Sequence, residues 1–265
     1  RAGRYRAAAE LSWRRLVADK AKPAQLLTAA LPLYQLTGGT EYLTAATRAL
    51  DAELGTKTGD AAAEKFMWAK WDVAVAEFAA SPEPVRRVGE REGAPFDKAQ
   101  GSLRSRARAA LAAIADHAVR TWRADAYGVP LWNTDHYCWS SSAHIAKMSY
   151  FALMADRFAP DPAHAAMALD GLHYLLGRNA VAMSLVTGYG WRATEIFNQT
   201  WGRDSRSGLP TPPGVTGGGV NQYNSQGISL FPARSYRSDP YNFTLTECAI
   251  YYNAPLVFLS GWFSD

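Results

Sequence analysis

Three blocks concentrate the side chains that could do chemistry: Tyr137-Cys138-Trp139-Ser140-Ser141-Ser142, Asp170 to Gly190, and Tyr241 to Leu256. The third holds a carboxylate, Glu247, among Leu245, Cys248 and Ala249. Apolar neighbours raise a carboxyl pKa, which suits a group that delivers a proton near neutral pH. A place in the first turn of a helix works the other way, because the helix dipole favours the anion. A Glu there also serves simply to complement a helix N-terminus. The aromatic side chains offer a second kind of chemistry. Trp 9, Tyr 13 and Phe 10 make up 12% of the chain, enough for a heavy core or for a site that stacks on flat ligands.

Other chemistries lack their patterns. The five histidines show no His-Glu-x-x-His spacing, and Cys138 and Cys248 are too few and too distant in sequence for a zinc motif. No Gly-x-x-x-x-Gly-Lys, Gly-x-Ser-x-Gly or alternating-acid calcium loop occurs. A calcium site assembled from distant residues would leave no local pattern, so calcium stays open. Gly188-Tyr189-Gly190-Trp191-Arg192-Ala193 fits the loose dinucleotide fingerprint, but no repeating strand–helix units surround it. No organic cofactor is expected, and no residues are assigned as metal ligands.

The elements that must position these blocks are helical. Tyr5, Ala9, Trp13 and Leu16 share one helix face, and Leu27, Ala30, Leu31 and Tyr34 another, with Gly38-Gly39 as a stop. Thr40 opens a helix through Leu43, Ala46, Leu50 and Leu54, closed by Gly55. Asp60 caps a segment through Phe66, Ala69, Val73 and Ala76, which Ser81-Pro82-Glu83-Pro84 breaks. A polar loop to about Asp97 precedes the clearest pattern: Leu103, Ala107, Leu111, Ile114, Ala118 and Trp122. Two further helices carry Ile145 to Ala155 and Ala165 to Leu176. From Gly177 to about Tyr241 the periodicity disappears into Gly- and Pro-rich chain, and so long an irregular segment is usually functional. A last helix is expected from near Thr246, kinked or restarted at Pro255. The reading is all-α: layered helix pairs closing into a barrel, with the long loop crossing one end.

Composition agrees with a folded globular domain: 265 residues, 48% hydrophobic and 20% charged. The net charge of +4 is small and scattered, which argues against a nucleic-acid groove, and no apolar run is long enough to span a membrane. The chain opens directly into a helical pattern with no hydrophobic leader, as a trimmed product or a piece of something longer would.

On these residues the chain resembles glycoside hydrolase family 9, enzymes that mostly hydrolyse β-1,4-glucans such as cellulose. Asp170-Gly-Leu-His-Tyr174-Leu-Leu-Gly177-Arg-Asn179, followed by Ser184-Leu-Val-Thr-Gly188-Tyr-Gly190, looks like the block before that family's active-site loop. Glu247-Cys-Ala-Ile-Tyr-Tyr-Asn253-Ala-Pro-Leu256 is similar to its last-helix block, and Leu33-Tyr-Gln-Leu-Thr-Gly38 with Glu41-Tyr42-Leu-Thr-Ala-Ala46 to a mid-domain helix. The resemblance implies an (α/α)6 barrel, here lacking its first helices, with residues 1–265 as the C-terminal portion of a single catalytic domain. It implies an inverting, secreted (extracellular or periplasmic) endoglucanase with Glu247 as general acid, and Tyr252, Trp139, Arg203, Trp201 and Tyr241 as substrate-binding residues. For Trp139 a sugar-stacking platform and a place in the core are equally open. Pro212-Pro213-Gly214-Val215-Thr216-Gly217-Gly218 looks like the turn that shapes the family's cleft.

Several departures qualify this. The family's His-His-Arg is here Thr200-Trp201-Gly202-Arg203, the Asn before the acid is Thr246, and the Gly after the tryptophan is Ser140. The Asp-x-x-Asp motif that carries the family's general base is missing from the chain. The expected partners are therefore a polysaccharide or oligosaccharide and the N-terminal part of the same domain, with no nucleic acid and no membrane. Six arginines against three acids between Arg178 and Pro240 add an anionic or decorated glucan as a substrate hypothesis. Two rival functions follow: an exo-acting β-glucosidase or glucosaminidase of the same family, and a carbohydrate-binding protein that has lost catalysis.

Overall fold

The computed structural model describes residues 2–67, 72–82, 95–197, 209–223 and 227–264. Its described elements are α-helices α1 (Ala2–Ala18), α2 (Pro23–Thr37), α3 (Thr40–Leu54), α4 (Gly59–Met67), α5 (Asp72–Ala80), α6 (Pro95–Ala124), α7 (Ser141–Asp156), α8 (Pro162–Leu175), α9 (Phe243–Thr246) and α10 (Ile250–Trp262). Two single-turn 3-10 helices, Thr134–His136 and Pro232–Arg234, punctuate the loops. No strand occurs among the described residues, only the isolated bridges Val186 to Thr216 (antiparallel) and Phe197 to Glu247 (parallel). The chain divides into two compact units.

The first unit comprises Arg1–Ile114 and Met154–Pro160. Its centre is α2, which packs on α1, α3 and α5. Of the face expected on α1 only Trp13 is buried, with Tyr5 76% exposed, and Val73 of α5 is also exposed; elsewhere Leu27, Leu31, Leu50, Phe66, Phe78, Leu103 and Leu111 are fully buried. Pro23 sits at the start of α2, where its missing N–H costs nothing, and Gly38 ends the helix at φ +70°, its N–H donating to the Tyr34 carbonyl at 2.8 Å. Arg104 is buried, and its guanidinium donates to the carbonyls of Phe78 (2.9 Å) and Ser81 (2.7 Å) while lying over the Phe78 ring at 4.5 Å. That closes the end of α5 with a charge-assisted cap.

The second unit comprises Ala115–Leu153 and Asp161–Asp265. Here α8 packs on α10, and one apolar cluster runs through Val129, Ile145, Leu172, Leu175, Val186, Leu245, Leu256 and Leu259. Asp161 caps α8, its side chain accepting the Ala163 N–H at 2.8 Å, with Pro162 following. Apart from the Pro232–Arg234 turn, the described residues between α8 and α9 are irregular, as the glycines and prolines predict.

The segment expected to run from Asp60 through Ala76 is helical on both sides of residues 68–71, which lie outside the described residues. One expectation needs adjustment. The last helix does not begin at Thr246. α9 ends there after four residues, and α10 starts at Ile250 and continues through Pro255 without restarting.

Candidate active site

Glu247 follows the last residue of α9 and has extended backbone (φ −55°, ψ 137°), not the helical conformation the sequence suggested. Three residues, Glu247 to Ala249, link α9 to α10. What holds the segment is a mesh of backbone bonds from three other stretches of the second unit. The Phe197 N–H donates to the Thr246 carbonyl at 2.9 Å, and the Gly219 N–H to the Leu245 carbonyl at 2.8 Å. The Ser142 N–H donates to the Gly218 carbonyl at 3.2 Å. The Gly217–Gly219 turn is thus pinned between the start of α7 and α9. A Cβ on Gly217 would stand 3.1 Å from the Thr246 backbone, and Gly219 has φ +87°, so the approach of the turn to the segment before Glu247 requires glycine.

Side chains complete the mesh. Asn253, on the first turn of α10, clamps the turn from the other side. Its Oδ1 accepts the Thr216 N–H at 2.8 Å, and its Nδ2 donates to the Ala249 and Thr216 carbonyls at 2.9 and 3.3 Å. Thr246 stands where the family's Asn is usual. It is fully buried, and its hydroxyl donates to the Asp239 carbonyl at 2.7 Å and the Asn242 carbonyl at 3.0 Å. The polar function is kept, directed into the backbone. Ser140, in place of the usual Gly, sits at φ +76°, a left-handed conformation that favours glycine. Its hydroxyl meets that of Tyr252.

Glu247 is half-buried, and the buried Tyr252 lies close enough to feel its charge. Burial pushes the Tyr252 hydroxyl well above its ordinary range, and the neighbouring Tyr251 hydroxyl and Glu247 push it the same way. It stays protonated and available to donate. Tyr251 donates to it at 3.3 Å. Trp139 is 41% exposed and Phe243 46%, with ring centroids 5.3 Å apart, and Phe197 lies 6.1 Å from Phe243. The exposure of Trp139 favours a platform over a core position. Gly218 lies at its edge: a Cβ there would be 3.4 Å from Cδ1. Behind the platform, the Cys138 sulfur is 4.0 Å from His144 Nδ1. Burial pushes the thiol up, and burial with His136 and Lys147 pushes the His144 imidazole down to about 4. Both groups are thereby held uncharged at neutral pH. Cys138 and Cys248 are both free thiols.

The structure thus brings together Glu247, Tyr252 and Trp139. Tyr241 is exposed on the segment leading into α9, its N–H donating to Asp239 Oδ1 at 3.0 Å. Arg203 and Trp201 lie outside the described residues. Sequence reasoning gave no role to Phe243, Phe197 or Asn253. Asn253 left one signal, an amide inside a helix, where it has to find a tertiary partner to be neutral. The glycines of the dinucleotide-like motif are accounted for by packing, Gly188 against Pro213 and Gly190 against Leu176. Among the described residues, no three His, Cys, Asp or Glu side chains could hold a metal ion together, and no helix is long and apolar enough to cross a membrane.

A half-buried carboxyl thus lies near an open aromatic shelf in the second unit. The chain belongs to glycosyl hydrolase family 9, which it matches over residues 12–260. It is 30% identical over 171 residues to a cellodextrinase from Butyrivibrio fibrisolvens, covering 61% of this chain and 31% of that protein. It is 29% identical over 140 residues to endoglucanase C from Cellulomonas fimi, covering 49% of this chain and 13% of that one. The crystal structure of the family 9 endoglucanase J30 superposes with a TM-score of 0.72 at 25% identity, covering 92% of this chain and 43% of that one. The chain matches part of the family's (α/α)6 barrel fold. The chain spans less than half the length of each of these relatives.

Proposed function

We propose that residues 1–265 are the acid-bearing C-terminal portion of one catalytic domain that cleaves β-1,4-glucosidic linkages in cellulose-like or decorated glucans, with inversion. One observation carries this reading: Glu247 stands half-buried beside Tyr252, next to the open shelf of Trp139 and Phe243. A pyranose stacked on the shelf leaves its glycosidic oxygen within reach of Glu247, which donates the proton as the bond breaks. Tyr252 donates a hydrogen bond to the same sugar. On the family resemblance, Arg203, Trp201 and Tyr241 also bind the sugar. Inversion also needs a base carboxylate about 6.5–9.5 Å from the acid, to activate water on the opposite face of the ring. That carboxylate comes from the N-terminal part of the domain. The exposed face of α10 supports a partner of this kind: Ile250 is 90% exposed, and Tyr251 and Val257 are also open to solvent. The substrate places the enzyme outside the cytoplasm, and the reaction uses no organic cofactor.

A second reading is exo action on short oligosaccharides, favoured by the likeness to a cellodextrinase. The deciding experiment follows cellotetraose hydrolysis by NMR, with this chain joined to its N-terminal part. The expected result is an α-anomer as first product, and activity reduced about 10²–10⁴-fold in Glu247→Gln with sugar binding retained. A β-anomer, or unchanged turnover in the variant, overturns the assignment. Product sizes separate endo from exo cleavage. A clear preference for plain over uronate-bearing glucan removes the anionic substrate.

A further inference from the structure

A second polar cleft, sharing no residue with the Glu247 cluster, lies where the end of α6 meets α8. It has a volume of about 370 Å³ and is lined by Trp122, Arg123, Tyr127, Gly128, Asp170 and Arg178, among others. At its floor is the Asp170 carboxylate, held from both sides. The Trp122 indole N–H donates to Oδ2 at 2.8 Å, and the Arg178 guanidinium pairs with Oδ1 at 2.7 Å and donates to the Asp170 carbonyl at 3.2 Å. Each carboxylate oxygen has two lone pairs and spends one on these partners. The side chain remains 28% exposed, so a fixed carboxylate presents two unused acceptor positions to the cleft.

The walls suit the same kind of guest. Gly128 has φ +62°, and a Cβ there would stand 3.2 Å from Asp170 Oδ2, covering the carboxylate; glycine leaves it open. Asp125 accepts the Tyr127 N–H at 2.8 Å and fixes the loop that carries the exposed Tyr127 ring. Arg123 and Arg178 supply donors, and with Asp125 and Asp170 they leave the lining without net charge. An aromatic ring, a rigid acceptor pair and guanidinium donors in a neutral, open cleft match a pyranose with vicinal hydroxyls: stacking on the ring, both hydroxyls donating to one carboxylate, and guanidinium N–H groups on the remaining oxygens.

We propose that this cleft is a second carbohydrate-binding site, one that holds a glucose unit of a β-glucan chain without cleaving it. The choice of glucan rests on the function proposed above; the cleft and its chemistry do not. The test is a cellotetraose titration of the uniformly 15N-labelled protein, followed at the indole resonances of Trp122 and Trp139, the Trp122 signal being assigned by its loss in Trp122→Phe. The expected result is saturable movement of both signals. In Tyr127→Ala, which removes an exposed ring, the Kd reported by Trp122 rises tenfold or more while that reported by Trp139 is unchanged. Movement of Trp139 alone, or a Trp122 response unaltered in Tyr127→Ala, overturns the second site and leaves the hydrolase reading intact. Movement of Trp122 alone supports the second site and counts against the Glu247 cleft. Movement of neither overturns both.

Discussion

Between Pro23 and Ala80 the first unit buries Leu27, Leu31, Leu50, Phe66 and Phe78 from helices that satisfy their own backbone groups. Among the described residues between Ser184 and Glu247 the second unit has almost no regular structure, and its backbone is tied by hydroxyls and amides. Thr216 donates to the Leu185 carbonyl at 3.0 Å, Asn221 to the Thr244 carbonyl at 3.0 Å, and Thr246 to the Asp239 carbonyl at 2.7 Å. Apolar packing is non-directional and tolerates small shifts. A hydrogen-bonded mesh sets positions to tenths of an ångström, which is what an acid aimed at one oxygen requires. The comparison teaches that stability and precision are supplied by different residues.

The largest test of that division is Phe78→Ala. Removing a fully buried ring from beneath the Arg104 guanidinium should cost about 3–5 kcal/mol in urea unfolding. Where the protein stays folded, the affinity measured at Trp139 should be unchanged; weakened sugar binding would break the separation of roles. A smaller effect lies with acid. His144 belongs to the second unit, and its folded pKa of about 4 lies below its ordinary value of 6.5. Between those values the unfolded chain takes up a proton that the folded one refuses. The stability from His144 is therefore complete above pH 6.5 and falls as the pH drops towards 4, by up to ~3 kcal/mol. Urea midpoints at pH 7.5 and 4.5 should differ less in His144→Gln than in the parent, and equal differences would remove His144 as the cause.

Gly219→Ala sharpens the comparison from the other side. With φ +87° and a Cβ 2.8 Å from Ser141 Oγ, the change should cost about 1–3 kcal/mol. Its effect on sugar affinity should exceed that of Phe78→Ala. Asn253→Ala is the smallest, about 1 kcal/mol for the lost clamp on Thr216, seen as faster amide hydrogen exchange at Thr216 and Gly219 with the global midpoint barely moved.

The same division decides what could be read from the residues alone. α1, α2, α3, α7 and α8 were legible because their apolar residues recur at helical spacing, and Gly38 and Gly55 mark two of the stops. Glu247, Trp139 and Tyr252 were legible only through a resemblance, since nothing in their spacing brings residues 139 and 247 together. The start of α10 was misplaced because Leu245, Ala249, Tyr252 and Leu256 keep a helical period across the break. The bonds that interrupt it, Phe197 to Thr246 and Gly219 to Leu245, come from segments with no periodicity at all. Phe243 and Phe197 were invisible for a related reason. An aromatic shelf made by three stretches far apart in sequence has no signature in any one of them.

The three-residue link from Glu247 to Ala249 also constrains how this part of the chain can change. In extended backbone successive side chains point to opposite sides, whereas in a helix each step turns the direction by about 100°. The aim of the acid is accordingly a matter of parity. Exchanging Cys248 or Ala249 for another residue leaves it alone. Inserting or deleting one residue between Thr246 and Ile250 would either turn Glu247 to the far side or rotate α10 and lift Leu256 and Leu259 out of the core. Substitutions can retune this loop freely, but its length is fixed.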